Sequence, residues 1–240
     1  MLSTYSQRLS WSLFRILQLA VLGGWMSLST APAAEQTKQA PAKQDTSAQE
    51  DKKPEWKPLF DGKTLKGWKI TEFGGEGEVT VEKGSLVMEM GNDLTGITWE
   101  GEMPKMNYEL SFQANKLDGN DFFAGVTFPI HDTFCSLIVG GWGGTVVGLS
   151  SLDGKDASDN DTKQLISFDR NRWYTVVLRV TQADDRVQVW IDGKQVIDAK
   201  TKGKKVTVRP EVQLSQPLGI CCWQTKASLK DIKLRRLTEK

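Results

Sequence analysis

His131 is the single histidine in a chain of 240 residues, and Asp132 follows it at once. An imidazole titrates near neutral pH and serves as a general base, and a carboxylate beside it adds a second proton acceptor. Neighbours in sequence need not touch, so His131 and Asp132 are a candidate base and partner, with an ordinary surface turn as the alternative. One histidine also excludes every centre that needs two or more, such as HExxH proteases, His-rich zinc sites and di-iron bundles. Trp142 stands inside Gly140-Gly141-Trp142-Gly143-Gly144. Glycines let a backbone approach a ligand closely, and an indole face suits the CH side of a sugar ring. Trp142 is therefore a candidate substrate platform, with Trp99 and Trp223 beside it as further candidates. Trp68, Trp173 and Trp190 lie in strand-like patterns that assign them to the core.

The loop from Asp153 to Asp161 is rich in carboxylates. Asp153, Asp156, Asp159 and Asp161 are candidate oxygen ligands for Ca²⁺ or another divalent cation. Their spacing does not fit an EF-hand, and the alternative is a solvated loop. Glu76 with Glu78, and Glu100 with Glu102, are carboxylate pairs two residues apart, which share one face of a strand. The E-x-D-x-x-E string of retaining glycosidases on related sandwiches is absent, which disfavours double displacement. A G-x-S-x-G elbow is absent too, so the one histidine has no recognisable serine nucleophile. Cys135, Cys221 and Cys222 sit in apolar runs. Adjacent strand residues point to opposite faces, so Cys221 and Cys222 cannot both meet Cys135. Buried thiols are expected rather than a bridge.

These residues need elements to hold them, and the folded part reads as strand after strand. Tyr108, Leu110, Phe112 and Ala114 alternate with Glu109, Ser111 and Gln113, the period of a half-buried strand. Phe122–Phe128, Phe134–Val139, Thr145–Leu149, Arg172–Thr181, Arg186–Ile191, Lys194–Ile197, Pro217–Trp223 and Ala227–Leu237 read likewise. Asp192-Gly193 between two such runs predicts a hairpin with a type I′ turn, which needs positive φ twice. No ten-residue segment carries a helical period. More than ten short strands without crossover helices cannot form a parallel sheet. We expect an all-β fold, a two-sheet antiparallel sandwich, as one domain over residues 55–240.

The first 34 residues carry Arg8, Arg15 and no acid, then an apolar run from Ile16 to Leu28 and Ala31-Pro32-Ala33. That is the pattern of a signal peptide cut after Ala33 or Ala34; left uncut, it would be an N-terminal membrane anchor. Residues 35–54 have almost no apolar content and read as a disordered linker. Removing the two arginines takes the net charge from +1 to −1. A near-neutral chain lacks the basic excess of a nucleic-acid binder. The expected location is periplasmic or secreted, with no membrane contact after cleavage.

Leu59-Phe60-Asp61-Gly62-Lys63-Thr64-Leu65-Lys66-Gly67-Trp68 resembles the opening signature of the 3-keto-disaccharide hydrolase domain family, LF(D/N)GK-x-L-x-GW. Val79–Val87, Tyr108–Phe112, Asn120–Val126, Arg172–Tyr174 and Val189–Lys194 resemble its later strands. The resemblance implies a concanavalin-like jelly roll and an exported carbohydrate-active enzyme that cleaves 3-keto-glycosides by hydrolysis, or by elimination and hydration. A ketone at C3 acidifies the C2 proton, so such an enzyme needs a base near C2, a cation or donor for the enolate and an acid at the leaving oxygen. Where the family strand reads E-x-Q, Thr133–Val139 here holds neither Glu nor Gln. That departure favours the second class of function, a non-catalytic glycan-binding or adhesion module. The opening signature and His131 favour the enzyme.

Overall fold

A computed structural model describes residues 54–238. The expected signal peptide, residues 1–34, and the expected linker up to residue 53 lie outside the described residues.

Among the described residues fifteen strands follow in chain order. They are β1 (Lys57–Pro58), β2 (Trp68–Ile70), β3 (Val79–Glu82), β4 (Ser85–Met88), β5 (Leu94–Trp99), β6 (Tyr108–Gly119), β7 (Ala124–Ile130) and β8 (Thr133–Gly141). Then come β9 (Val146–Ser150), β10 (Gln164–Leu165), β11 (Trp173–Thr181), β12 (Arg186–Ile191), β13 (Lys194–Lys200), β14 (Gly219–Trp223) and β15 (Thr225–Arg236). One short 3-10 helix, Pro210–Ser215, precedes β14; no helical period announced it.

The strands form two antiparallel sheets. One runs β13-β12-β11-β6-β15-β4-β3, with β1 added to β15, and the other runs β10-β9-β8-β7-β14-β5-β2. The core between them follows from the period of two. Tyr108, Leu110, Phe112 and Ala114 of β6 are fully buried, and facing them are Val126 and Phe128 of β7, Leu137 and Val139 of β8, and Ile220 of β14. Burying each large side chain contributes about 1.5–3 kcal/mol, so Phe128→Ala would cost about 3–5 kcal/mol. The Tyr108 hydroxyl donates to the Pro129 carbonyl at 2.6 Å, which ties one sheet to the other.

The hairpin between β12 and β13 turns on Asp192 and Gly193 at φ of +49° and +78°, as the dipeptide requires. All three cysteines are free and buried. Cys222 faces the core, whereas Cys221 belongs to a smaller apolar cluster on the other side of its sheet. One expectation needs correction. Trp68 is a core residue, but Trp173 and Trp190 are half-buried on the outer face of the eight-stranded sheet. Val189 and Ile191 take the inward positions of β12, so alternation turns Trp190 outward.

Candidate functional site

Two rows of small residues cross the outer face of the seven-stranded sheet. Register aligns Gly96, Cys221, Gly125, Ile138 and Gly148 on β5, β14, β7, β8 and β9. The adjacent row is Thr98, Gly219, Thr127, Ser136 and Ser150. Their in-strand neighbours fill the core, so by alternation these residues form a shallow floor. Two glycines admit what lies on it. A Cβ on Gly125 would stand 2.7 Å from the Phe122 ring, and one on Gly219 would stand 2.5 Å from Ser215. Phe122 and the 3-10 helix can therefore lie flat against the sheet. The Thr98 hydroxyl donates to the Leu214 carbonyl at 3.1 Å and fastens the helix. Thr127 and Ser136 share a hydrogen bond of 3.1 Å.

A cavity of about 200 Å³ stands on this floor. Phe122, Trp142 and Trp223 wall one side, and Arg209, Glu211 and Val212 the other; Asp121 also lines it. Trp142 is 42% exposed, at φ +48° in the turn that leaves β8. Asp121 holds that turn. Its Oδ1 accepts the backbone N–H of Phe122 at 2.8 Å and of Trp142 at 3.2 Å. Among the described residues its Oδ2 has no hydrogen-bond partner, so one oxygen is fixed and the other is available. Trp223 leans on Phe122, with ring centroids 6.4 Å apart.

The opposite wall is an ion-pair network. Arg209 grips Glu211 through Nη2 at 2.7 Å and Nε at 3.3 Å, and Asp156 through Nη1 at 2.5 Å. The Arg209 guanidinium holds the Glu211 carboxyl below its ordinary range, and Glu211, with Asp156, raises Arg209 in return. The wall thus keeps its charges at neutral pH.

Trp142 and Trp223, both anticipated, share this cavity. His131 does not. Nine residues of β8 separate its turn from the Trp142 turn, roughly 30 Å at about 3.3 Å per residue. His131 Nε2 meets Asp185 Oδ1 at 2.7 Å, across to the turn between β11 and β12. Asp132 is 91% exposed and pairs with Lys105 at 2.6 Å, which lowers the carboxyl below its ordinary range. Trp99 packs edge-on against Trp68 with centroids 5.2 Å apart. It lines a separate hollow of about 520 Å³ with Glu102 and Arg235.

The aspartates of the acidic loop diverge. Asp153 accepts the Lys205 backbone N–H at 2.8 Å, Asp156 takes Arg209, and Asp161 takes Lys204 at 2.9 Å. The Asp159 backbone N–H donates to the Asp156 carbonyl at 2.9 Å. Among the described residues no three His, Cys, Asp or Glu side chains converge as a metal site. Asp121, Arg209 and Glu211 were not foreseen. Asp121 lies far in sequence from Arg209 and Glu211, and no local motif marks the three.

Comparison with known proteins adds the following. The family model of the 3-keto-alpha-glucoside-1,2-lyase-like domain matches residues 55–235. No curated protein matches the sequence. Among solved structures, the apo Crh5 transglycosylase is similar with a TM-score of 0.53 and 14% identity, over 78% of this chain and 85% of that one. The carbohydrate recognition domain of Emp46p gives 0.50 and 12%, over 73% and 90%. A sialidase gives 0.51 and 12%, over 75% of this chain and 18% of its own. At such identities the likeness is one of fold, the two-sheet antiparallel sandwich.

Proposed function

The chain belongs to the 3-keto-alpha-glucoside-1,2-lyase-like domain family, and from that premise we propose that the Trp142 cavity binds a 3-keto-glycoside and cleaves its glycosidic bond by elimination. The observation that carries the proposal is the pairing of an aromatic wall with three ionic groups in one cavity: Asp121, Arg209 and Glu211.

The C3 ketone makes the C2 proton acidic. Asp121 Oδ2 takes that proton, because Oδ1 is already committed to two backbone N–H groups. A carboxylate suffices as a base next to a carbonyl, as ketosteroid isomerase illustrates. Arg209, held positive by its two carboxylates, faces the enolate oxygen and stabilises its charge. The electron pair at C2 then forms the C1=C2 bond, and the C1–O bond breaks with its own pair. The protonated Asp121 returns its proton to the departing oxygen on the same face. Addition of water to C1 and a proton to C2 completes a net hydrolysis. Trp142 and Trp223 carry the CH face of the ring, and Ser136 and Ser150 offer hydroxyls from the floor. Asp121 is preferred to His131 as base because His131 stands at the far end of β8. The basic, then apolar, N-terminal segment supports an exported location for this reaction.

A second reading, glycan binding without catalysis, draws on the floor. Among the described residues no carboxylate rises from those two rows, whose polar side chains are the hydroxyls of Thr98, Thr127, Ser136 and Ser150 and the Cys221 thiol. Product analysis with 3-keto-trehalose or 3-keto-maltose separates the two, with the unoxidised disaccharides as controls and EDTA as a variable. The elimination reading expects a monosaccharide from the keto substrates only. It also expects Asp121→Asn to lower turnover about 10²–10⁴-fold while ligand affinity changes less than about threefold. Measurable binding with no turnover, at protein concentrations matching the substrate, would leave the binding reading standing.

A further inference from the structure

The acidic loop offers an aspartate that touches the cavity only through another residue. Asp156 divides its two oxygens. Oδ1 accepts the hydroxyls of Ser150 at 3.2 Å and Ser151 at 3.0 Å, and Oδ2 accepts Arg209 Nη1 at 2.5 Å. The backbone around it is fastened as well. Asn160 Nδ2 donates to the carbonyls of Asp156 at 2.8 Å, Leu149 at 2.8 Å and Lys155 at 3.1 Å. The Leu152 and Lys155 backbones pair in both directions at 3.0 and 2.9 Å. Asp156 is thus anchored to the end of β9, a strand of the floor.

The backbone that leads to Arg209 is tied to the same strand end, since Thr207 and Ser151 pair in both directions at 3.1 and 2.7 Å, but the guanidinium at the end of its flexible side chain is placed only by its partners. Arg209 caps the 3-10 helix, and its other partner, Glu211, lies two residues on in that same helix. Thr98 and Ser151 fix that segment's backbone to the sheet. Of the guanidinium's two side-chain partners, Asp156 is the one that stands at the end of a floor strand. In catalysis by positioned charge, a displacement of about 1 Å costs about 10²-fold.

We propose that Asp156 is a positioning residue of this cavity: it acts on the ligand only through Arg209, by fixing the guanidinium against the sheet where the enolate oxygen develops. The proposal rests on the elimination reading for its effect on turnover. Its geometric content concerns Arg209 alone and can be read from binding.

The test is a double-mutant cycle in the full chain with Asp156→Asn, Arg209→Ala and both together. Turnover of 3-keto-trehalose is one readout. The Kd for that ligand, from tryptophan fluorescence, is the other. Asp156→Asn is expected to lower kcat about 10- to 100-fold and to weaken the Kd about three- to tenfold, since the guanidinium also meets the ketone oxygen of the bound ligand. The same substitution is expected to do nothing further once Arg209 is alanine. Asp156→Glu, which keeps the charge, is expected to recover part of the loss. A melting temperature for each variant separates these effects from unfolding. If wild type does not turn over, the elimination reading fails, and the cycle is read on Kd instead. A full effect of Asp156→Asn in the Arg209→Ala background would overturn the proposal, since Asp156 would then act independently. Unchanged kcat and Kd in the single variant would overturn it equally.

Discussion

The two outer faces of the sandwich treat their tryptophans in opposite ways. On the eight-stranded sheet each indole carries a cation. Lys230 sits 4.2 Å from the Trp173 ring centre, Arg179 4.9 Å from Trp190, and Arg235 4.5 Å from Trp56, with Lys233 beside it. Register sets Arg179, Glu109 and Arg235 side by side, and both arginines bond the Glu109 carboxylate, which is 1% exposed. On the seven-stranded sheet, among the described residues, no cation stacks on Trp142 or Trp223. The cavity arginine is turned to Glu211 and Asp156 instead. An indole face that already holds a guanidinium contributes to stability and is closed to a ligand. An indole face left open beside polar groups is a binding surface.

The sharpest way to break this contrast is at Glu109. Removing its charge strands two cations on one face, so Glu109→Gln is expected to cost about 3–5 kcal/mol of stability, measured by urea unfolding. Ligand affinity should stay at the wild-type value; a large affinity loss in folded protein would mean that the two faces are coupled. A matched pair of tryptophans comes next. Trp142→Ala should weaken keto-sugar binding about tenfold, roughly 1.4 kcal/mol, with a stability change under about 0.5 kcal/mol. Trp190→Ala should do the reverse, losing about 1–3 kcal/mol of stability with affinity intact. If both substitutions act alike, the faces do not differ in the way described.

A smaller effect is expected from acid. Glu211 titrates below its ordinary value because Arg209 favours the carboxylate. Its folded pKa is depressed, so its contribution to stability is present above the unfolded value, near 4.5, and is lost as pH falls through the folded one. Glu211→Gln should therefore lose less stability than wild type between pH 5 and pH 3, in urea titrations at each pH. The smallest expected signal is from the thiols. Burial pushes Cys135 and Cys221 up to about 12 and raises Cys222 as well. A thiol reagent at pH 8 should leave the native protein unlabelled and label three cysteines in urea. Rapid labelling of Cys221 in native protein would show that the floor of the cavity opens.

Much of the sandwich was legible in particular residues. The alternation in Tyr108–Ala114 named the inward side chains of β6, and Asp192-Gly193 named a turn. Both follow from properties local to a few residues: side-chain parity along a strand, and the backbone angles a dipeptide tolerates. Trp190 was misplaced for want of the same rule, since its neighbours Val189 and Ile191 already claimed the core. The site was legible only in Trp142, conspicuous as an indole among glycines, and in Trp223, named as a further candidate without such a signal. Asp121 looked like any aspartate in a loop, and Asp156 like one of several.

The sequence by itself determined most of the strands and their buried faces, the Asp192-Gly193 turn and the family, because each depends on short-range pattern. The tertiary structure alone decided which charges meet. β14, from late in the chain, inserts between β7 and β5, and the segment that leads into it carries Arg209 and Glu211 over the floor. Strand order is set by packing whole faces against each other at long range. The convergence of Asp121, Arg209 and Glu211 on one cavity follows from that order.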